Sequence, residues 1–334
     1  MRTPTIDLDI FVRHRAAFDA VVGPSPSFAT LIAIDAHEGP VYVDAERALY
    51  FTTVPVRSDA PLAGSKAVQV QRLALDVDSF PYSVRKVSVV LAQSNMANGM
   101  TLDREGRLII CEQGTRLEAA RISRMDLRDG VIETVVDAWR GLRFNSPNDV
   151  VVSSEGAIWF TDPSYGALQG FKDAPMLGDY VYRHDPASGH TEVVADGFNK
   201  PNGLAFSPDE SILYINDSAA IQGPGSYLPA LPHHLRAFDV VDGRHLRNDR
   251  LFAVVSPGVP DGLKLDSAGR VYSSSASGIQ VFDRGGDLIG EILAPGVANF
   301  CFGGPQRDVL FMMADTCIYQ ARIAAQGAQR PARG

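Results

Sequence analysis

The stretch PNDVVVSSEGAIWFTDPS, which covers residues 147–164, decides the fold. It has a polar residue, Asn148, near its start and continues as an apolar run of valines. A turn containing Ser, Glu and Gly follows, and then a second run of residues that favour β-strands. Two such runs joined by a short turn predict a β-hairpin.

The same pattern occurs six times along the chain. The other five copies are HEGPVYVDAERALYFTTV (37–54), ANGMTLDREGRLIICEQG (97–114), PNGLAFSPDESILYINDS (201–218), PDGLKLDSAGRVYSSSAS (260–277) and ANFCFGGPQRDVLFMMADT (298–316). The polar residue near the start of each copy, called here the opener, is in chain order Glu38, Asn98, Asn148, Asn202, Asp261 and Asn299. Successive openers are separated by 60, 50, 54, 59 and 38 residues, so the repeating unit averages about 52 residues.

Two further β-rich segments follow most of the hairpins, such as LRAFDVV and RLFAVVS after the fourth. Four antiparallel strands in about 50 residues make one blade of a β-propeller, so six units predict an all-β, six-bladed propeller. The sixth unit has only three strands, and FATLIAI (28–34) is expected to supply the fourth and close the ring. We expect a single domain with a core at about 28–322, an N-terminal extension at 1–27 and a flexible tail at 323–334. A β-sandwich or tandem β-domains are the alternatives.

The composition fits a large folded protein, since 45% of the 334 residues are hydrophobic and 21% are charged. The net charge is −8 and no Lys/Arg cluster stands out, so nucleic-acid binding is not expected. No apolar run reaches the roughly 18 residues of a membrane span. Asp7 and Asp9 interrupt the start of the chain, which argues against a secretory signal peptide. Cys111, Cys301 and Cys317 have no CxxC spacing and predict buried, reduced thiols in a cytoplasmic protein.

The six openers are expected to converge. In an up-and-down blade the innermost strand comes first, so the openers lie at one mouth of the central channel as two carboxylates and four amides. Buried polar groups need water, each other or a cation as partners. Oxygen ligands of mixed charge suit Ca²⁺ and disfavour a zinc-type site of Cys and His. The alternative is that the openers are only turn residues, because Asn-Gly and Asp-Gly are common in turns.

The loop after each second strand returns to the same mouth. This geometry predicts substrate-binding positions at Glu112, Asp162, Tyr165 and Asp217. Three of the loops on this face are long, at 54–66, 163–178 and 218–234, and we interpret them as walls or a lid of a substrate pocket, with solvated loops as the alternative. His37 precedes Glu38 and is interpreted as a strand-end histidine, with a position near the mouth as the alternative.

Three stretches carry a family resemblance: RFNSPNDVVVSSEGAIWFTDPSYG (143–166), KPNGLAFSPDESILYINDS (200–218) and VPDGLKLDSAGRVY (259–272). They closely resemble the SMP-30/gluconolactonase/luciferin-regenerating-enzyme family, and the resemblance covers roughly residues 30–322. It implies a six-bladed propeller with one divalent cation in the channel. The metal ligands that it implies are Glu38, Asn148, Asn202 and Asp261, and the catalytic carboxylate that it implies is Asp261.

The sequence departs from the family pattern at two places. The stretch at 54–90 is longer than sugar-lactone hydrolases have, and the usual GTRR reads GTRL at 114–117. Both departures leave the identity of the lactone open, whereas the four implied metal ligands are all present.

The expected chemistry is hydrolysis of a cyclic ester in a small-molecule substrate. A divalent metal, Ca²⁺ in the first place and Zn²⁺, Mn²⁺ or Mg²⁺ as alternatives, polarises the carbonyl, and Asp261 acts as general base or nucleophile. Arg143 and Asn145 are placed to reach the substrate, and the openers Asn98 and Asn299 are further substrate-binding candidates. The alternatives are a metal-dependent phosphotriester or other ester hydrolase, and a non-catalytic propeller that binds partners. No membrane partner is expected, and the oligomeric state is open.

Overall fold

The computed structural model describes residues 10–57, 66–223 and 225–329. In this part of the chain the strands form six antiparallel sheets of four or five strands, which we number blades 1 to 6 in chain order. The first strands of the six blades contact one another in a closed circle. The predicted six-bladed propeller is therefore confirmed, and the sandwich alternative is wrong.

The described part of the chain starts with N-terminal elements that precede blade 1, and blades 1 and 2 follow. The N-terminal elements are β1 (Phe11–Arg13), α1 (Asp19–Val22) and β2 (Ser27–Ala36). Blade 1 and the small ribbon within it contain β3 (Glu38–Val43), β4 (Ala48–Thr52), β5 (Val56–Arg57), β6 (Lys66–Ala67), β7 (Val70–Asp76) and β8 (Ser83–Leu91). Blade 2 and the small hairpin after it contain β9 (Ala97–Leu102), β10 (Leu108–Glu112), β11 (Arg121–Met125), β12 (Ile132–Val136), β13 (Ala138–Trp139) and β14 (Leu142–Arg143).

The remaining four blades follow the same order of strands. Blade 3 contains β15 (Val150–Val152), β16 (Ile158–Asp162), the helix α2 (Tyr165–Leu168), β17 (Tyr180–Asp185) and β18 (His190–Ala195). Blade 4 contains β19 (Pro201–Phe206), β20 (Ile212–Asp217), β21 (His234–Val241) and β22 (His245–Val254). Blade 5 contains β23 (Leu263–Leu265), β24 (Val271–Ser275), β25 (Gly278–Phe282) and β26 (Leu288–Leu293). Blade 6 contains β27 (Asn299–Gly303), β28 (Val309–Met313), β29 (Asp315–Arg322) and, from the N-terminus, β2.

The N-terminal strand closes the ring as predicted. β2 pairs antiparallel with β29, with Phe28 opposite Ala321. The extension before it also joins the fold, because β1 adds a fifth strand to blade 5 and the ring of Phe18 is buried against Gly290. A Cβ at Gly290 would lie 2.3 Å from that ring, so only glycine leaves room for Phe18.

The segment after β29 was predicted to be a flexible tail. As far as Gln329 it lies against blades 5 and 6: Ile323 and Ala325 are buried, and Ala328 donates its N–H to the carbonyl of Leu265 at 3.0 Å. Residues 330–334 lie outside the described residues, as do residues 1–9, 58–65 and 224.

Hydrophobic packing holds the blades side by side. Among the described residues, six buried apolar clusters occupy the six wedges between neighbouring blades. Trp159 of blade 3, for example, packs edge-on against Phe206 of blade 4 at 5.6 Å between ring centroids. Cys111 and Cys301 are buried free thiols as predicted, whereas Cys317 is half-buried. No helix in the described part of the chain is long and apolar enough to cross a membrane.

Phe18→Ala tests whether the N-terminal extension is part of the folded core. Removing this fully buried ring is expected to lower the free energy of unfolding by about 3–4 kcal/mol, because it leaves a cavity against blade 5. Chemical denaturation measures the loss, with the exposed Val87→Ala on β8 as a control that changes it by less than about 0.5 kcal/mol. A loss below about 1 kcal/mol for Phe18→Ala contradicts this packing.

Candidate active site

The openers lie where predicted, at the starts of the six first strands and on one face of the ring. Five of them are buried, and Asp261 is half-buried. Each opener comes from a different blade, so residues that span more than two hundred positions in the sequence meet around one axis. This face of the channel is called the mouth below.

The glycines that follow the openers permit a very close approach between blades. A Cβ at Gly203 would lie 2.2 Å from the backbone oxygen of Asp261, and one at Gly99 would lie 2.5 Å from that of Asn148. At Gly262 it would lie 2.4 Å from the side-chain oxygen of Asn299. These three glycines lie within or beside strands and do not have a positive φ. Their role is close packing at the axis, so the interpretation of these pairs as ordinary turn residues is wrong.

Side chains on the second strands then fix the openers of the next blade. Thr161 donates its hydroxyl to the backbone oxygen of Asn202 at 2.8 Å. Asn216 donates its amide to the backbone oxygen of Asp261 at 2.7 Å. The hydroxyl of Ser274 accepts the N–H groups of both Asp261 and Gly262 at 3.0 Å. The backbone of Asp261 is thus held on both sides.

Four openers contact one another directly. Asn299 donates its amide to the Oε2 atom of Glu38 at 2.7 Å. The carboxyl group of Asp261 is a neighbour of the side chains of Glu38 and Asn202. Burial, and next the negative charge of Glu38, raise the pKa of Asp261 well above its ordinary value. Two carboxylates in contact repel each other unless a proton or a cation lies between them.

The donor set suits a hard divalent cation. Glu38, Asp261 and the amides of Asn148 and Asn202 present only oxygen ligands to the mouth, and oxygen is what Ca²⁺ prefers. The buried Oδ1 atom of Asn98 has no hydrogen-bond partner among the described residues, so one further oxygen is available nearby. The described residues contain no group of three or more His, Cys, Asp or Glu side chains placed to hold a metal.

His37 lies between the end of β2 and the start of β3, as its interpretation as a strand-end residue predicts, and its side chain also belongs to the mouth. Its Nδ1 atom is 2.7 Å from a carboxylate oxygen of Asp315. Burial alone would lower the pKa of His37, but the hydrogen bond to Asp315 and the charges of Glu38 and Asp261 outweigh that effect and raise it to about 9. The signal in the sequence was the position of His37 directly before Glu38, the one opener that is a glutamate.

Asp149 is a residue that the sequence analysis missed. It occupies the position after the opener of blade 3, where blades 1, 2, 4 and 5 have glycine. One carboxylate oxygen accepts the N–H of Val150 at 2.9 Å, and the other has no partner among the residues described. Burial raises the pKa of Asp149 to about 6.

Three predicted substrate ligands serve the framework. The carboxylate of Asp162 accepts the N–H groups of Asn145 and Ser146 at 2.8 and 2.6 Å. Asp217 does the same in blade 4 for residues 199 and 200, both at 2.9 Å. Glu112 accepts an amide N–H of Asn95 at 3.0 Å and pairs with the guanidinium group of Arg121 at 2.7 Å. These carboxylates brace the chain that leads into each opener, and we assign them a structural role.

Arg143, Asn145 and Tyr165 lie on one side of the mouth. The hydroxyl of Tyr165, at the start of α2, is 3.3 Å from the amide of Asn202. Asn145 donates to the carbonyl of Gly178 at 2.9 Å, and its own buried Oδ1 lacks a partner within the described residues. Arg143 is exposed at the end of β14. Together with Phe144 and Lys172, Arg143 and Asn145 line a cavity of about 180 Å³.

Lys172 fastens the loop at 163–178 to blade 2 and to the segment that leads into blade 3. Its ammonium group donates to the carbonyl oxygens of Gln113 at 2.9 Å, Phe144 at 3.2 Å and also Asn145. Next to it, Asp173 pairs with Arg116 at 3.1 Å. The loop therefore lies over the small cavity, as its interpretation as a pocket wall predicts. A larger cavity of about 470 Å³ lies at the opposite end of the channel, where the first strands end.

A family model matches most of the chain. A model described as the SMP-30/Gluconolactonase/LRE-like region matches residues 36–316. The chain belongs to this family. The resemblance predicted from the blade motifs is therefore confirmed.

Two named relatives and one solved structure are similar over much of the chain. A gluconolactonase from Zymomonas mobilis is 33% identical over 236 residues, which are 69% of this chain and 64% of that protein, so the match spans slightly less than two thirds of its length. Lactonohydrolase oryL from Aspergillus oryzae is 28% identical over 96% of this chain and 75% of its own. A solved gluconolactonase from Xanthomonas campestris superposes with a TM-score of 0.77 at 32% identity, covering 97% of this chain and 99% of that one.

Lys172→Met tests the fastening of the loop through its pH dependence. Burial lowers the pKa of Lys172 from 10.5 to about 8. Between these values the unfolded chain keeps the proton that the folded protein has released, so this group makes unfolding less favourable as the pH rises. The free energy of unfolding of the native protein minus that of Lys172→Met is expected to increase from pH 8 to pH 10. Denaturant titrations at pH 7, 8, 9 and 10 measure the difference, and a constant or falling difference contradicts the assignment.

Proposed function

We propose that the protein is a metal-dependent lactonase. The observation that carries this proposal is that the openers from all six blades, among them Glu38, Asn202 and Asp261, gather at the mouth of the ring, where Asn299 of blade 6 donates to Glu38 of blade 1 and Gly203, next to Asn202, packs on the backbone of Asp261. The named relatives, a gluconolactonase and a lactonohydrolase, support a lactone as substrate. The partner is then a small molecule that enters from the mouth.

We propose Glu38, Asn148, Asn202 and Asp261 as the residues that hold the cation. Their oxygen-only donor set favours Ca²⁺, with Zn²⁺, Mn²⁺ or Mg²⁺ as alternatives. Such an ion, when bound, polarises the lactone carbonyl and stabilises the negative charge that develops on its oxygen. Asn299 orients Glu38 through the hydrogen bond described above.

Asp261 is proposed as the catalytic residue. A water oxygen attacks the carbonyl carbon while the carboxylate of Asp261 takes a proton from that water as general base, and the bond between the carbonyl carbon and the ring oxygen then breaks as Asp261 returns the proton to that oxygen, which gives the open-chain hydroxy acid. Direct attack by the carboxylate, followed by hydrolysis of the acyl intermediate, is the alternative for the same residue. Asn216 and Ser274 hold its backbone on both sides, so the Cα atom of Asp261 has a fixed position at the mouth.

Substrate contacts are proposed for the polar groups at the mouth that remain available. Asn98 and Asn145 each have a buried side-chain oxygen without a partner among the described residues, and such an oxygen can accept a hydrogen bond from a substrate hydroxyl. The guanidinium group of Arg143 is exposed beside the cavity, and the hydroxyl of Tyr165 faces Asn202. These four residues are the proposed substrate-binding set.

Asp261→Asn tests the catalytic assignment. The substitution removes the base but keeps the shape, so kcat/KM for lactone hydrolysis is expected to fall at least about 1,000-fold. A pH indicator that follows the released acid measures the rate. Asp129→Asn, at an exposed turn of blade 2 on the opposite face, is the matched control and keeps the native rate.

The same assay separates the remaining possibilities. A chelator is expected to abolish the activity of the native protein, and added Ca²⁺ to restore it. Retention of near-native hydrolysis by Asp261→Asn contradicts the catalytic role, and activity that is indifferent to the chelator contradicts the metal. A phosphotriester is included in the substrate panel, and its hydrolysis identifies the alternative ester hydrolase. A protein that hydrolyses neither lactones nor the phosphotriester is the non-catalytic module.

A further inference from the structure

The exposed apolar side chains fall into two groups. In the described part of the chain, six of the eleven large exposed ones lie on or next to outermost strands: Val87, Val89, Val131, Ile132, Leu251 and Val254. The other five lie on the loops that follow the second strands of blades 2, 3 and 4: Leu117, Met176, Ile221, Tyr227 and Leu228. Exposed side chains of the first group are usual at blade edges, whereas those of the second group surround the mouth.

All three loops start at the candidate site. The loop of blade 3 begins beside Tyr165, whose hydroxyl contacts Asn202. The loop of blade 4 begins at Ser218, whose hydroxyl donates to the carbonyl of Pro260, directly before Asp261. The loop of blade 2 begins at Gln113, which accepts a hydrogen bond from Lys172. A molecule bound at Asp261 therefore extends toward these loops.

The cavity at the junction of blades 2 and 3 has an apolar side. Phe144, Ala167 and Met176 line it, and the loop of blade 2 that carries Leu117 supplies part of its wall. Leu117 and Met176 are 77% and 72% exposed, which is more than any other large apolar residue in the described ranges. Exposure of apolar side chains of this size to water is unfavourable, and covering them with a ligand lowers the free energy.

Four charged groups at the ends of the second strands and in the loop of blade 3 are engaged by the protein itself, which leaves the amides of Asn98 and Asn145, Arg143 and Tyr165 for the lactone ring. Asp162 and Asp217 each accept two backbone N–H groups, and Glu112 pairs with Arg121. The three hydrogen bonds of Lys172 all go to backbone carbonyls. These three carboxylates, and the ammonium group of Lys172 that lines the cavity, thus hold the protein itself.

We infer that the substrate is a lactone with an apolar alkyl or aryl substituent, whose ring lies at Asp261 and whose substituent covers Leu117 and Met176. This inference rests on the proposed lactonase function and adds the class of substrate. Each methylene that is fully buried contributes about 0.8 kcal/mol, which corresponds to a rate factor of up to about fourfold. The preference for a longer substituent is therefore measurable.

A series of γ-lactones tests the inference. The value of kcat/KM is expected to rise from γ-valerolactone, which carries a methyl group, through γ-heptalactone to γ-nonalactone, which carries a pentyl group. For γ-nonalactone it is expected to exceed the value for D-glucono-δ-lactone at least tenfold. The double substitution L117S/M176S is expected to lower kcat/KM at least fivefold for γ-nonalactone and less than twofold for γ-valerolactone.

The matched control is V87S/V89S, which removes exposed apolar side chains from β8 at the rim of blade 1 and leaves all these rates unchanged. A flat dependence on chain length, a preference for the gluconolactone, or an equal effect of L117S/M176S on all γ-lactones overturns the apolar substrate while the lactonase function stands. If the native protein hydrolyses every lactone no faster than Asp261→Asn does, both the apolar substrate and the lactonase function are overturned.

Discussion

The axis of the ring imposes the constraint on which the other features depend. Consecutive first strands approach each other more closely than a methyl group permits at Gly39, Gly99, Gly203 and Gly262. This approach brings six polar side chains from six blades to one mouth, and the hydrophobic wedges between the blades hold them there. Hydrogen bonds such as that from Asn216 to the backbone of Asp261 then leave each opener little freedom to turn away.

The close packing at the mouth brings the carboxyl groups of Asp261 and Glu38 together and so changes their electrostatics. A carboxyl group that is buried beside a second one has a raised pKa, and positive charge at the same place reverses the effect. The close contact of Asp261 with Glu38 is therefore a site where a cation stabilises two groups at once and keeps one of them able to accept a proton. At Asp162 and Asp217, backbone N–H groups occupy both carboxylate oxygens, so these two side chains serve the framework.

The fold and the central cluster could be predicted from the sequence, whereas the roles of individual polar residues could not. Six copies of one hairpin specify the ring, and position within the copy specifies which residues reach the axis. The pattern does not show which hydrogen bonds a side chain makes, so the ends of the second strands appeared to be ligands for substrate. Asp149 was missed, and the mouth was only the alternative position for His37, because their neighbours come from other blades, as Asp315 does for His37. Phe18 was missed because its partner Gly290 lies 272 positions away.

Calorimetric titration of the native protein and of Glu38→Gln with Ca²⁺ tests the central claim most directly. The account predicts that one ion binds per chain of the native protein, and that Glu38→Gln binds it at least tenfold more weakly, since a carboxylate at the axis becomes an amide. Zn²⁺, Mn²⁺ and Mg²⁺ are titrated in the same way. Equal affinities of the two proteins, or no binding of any of these four ions to the native chain, would contradict the account.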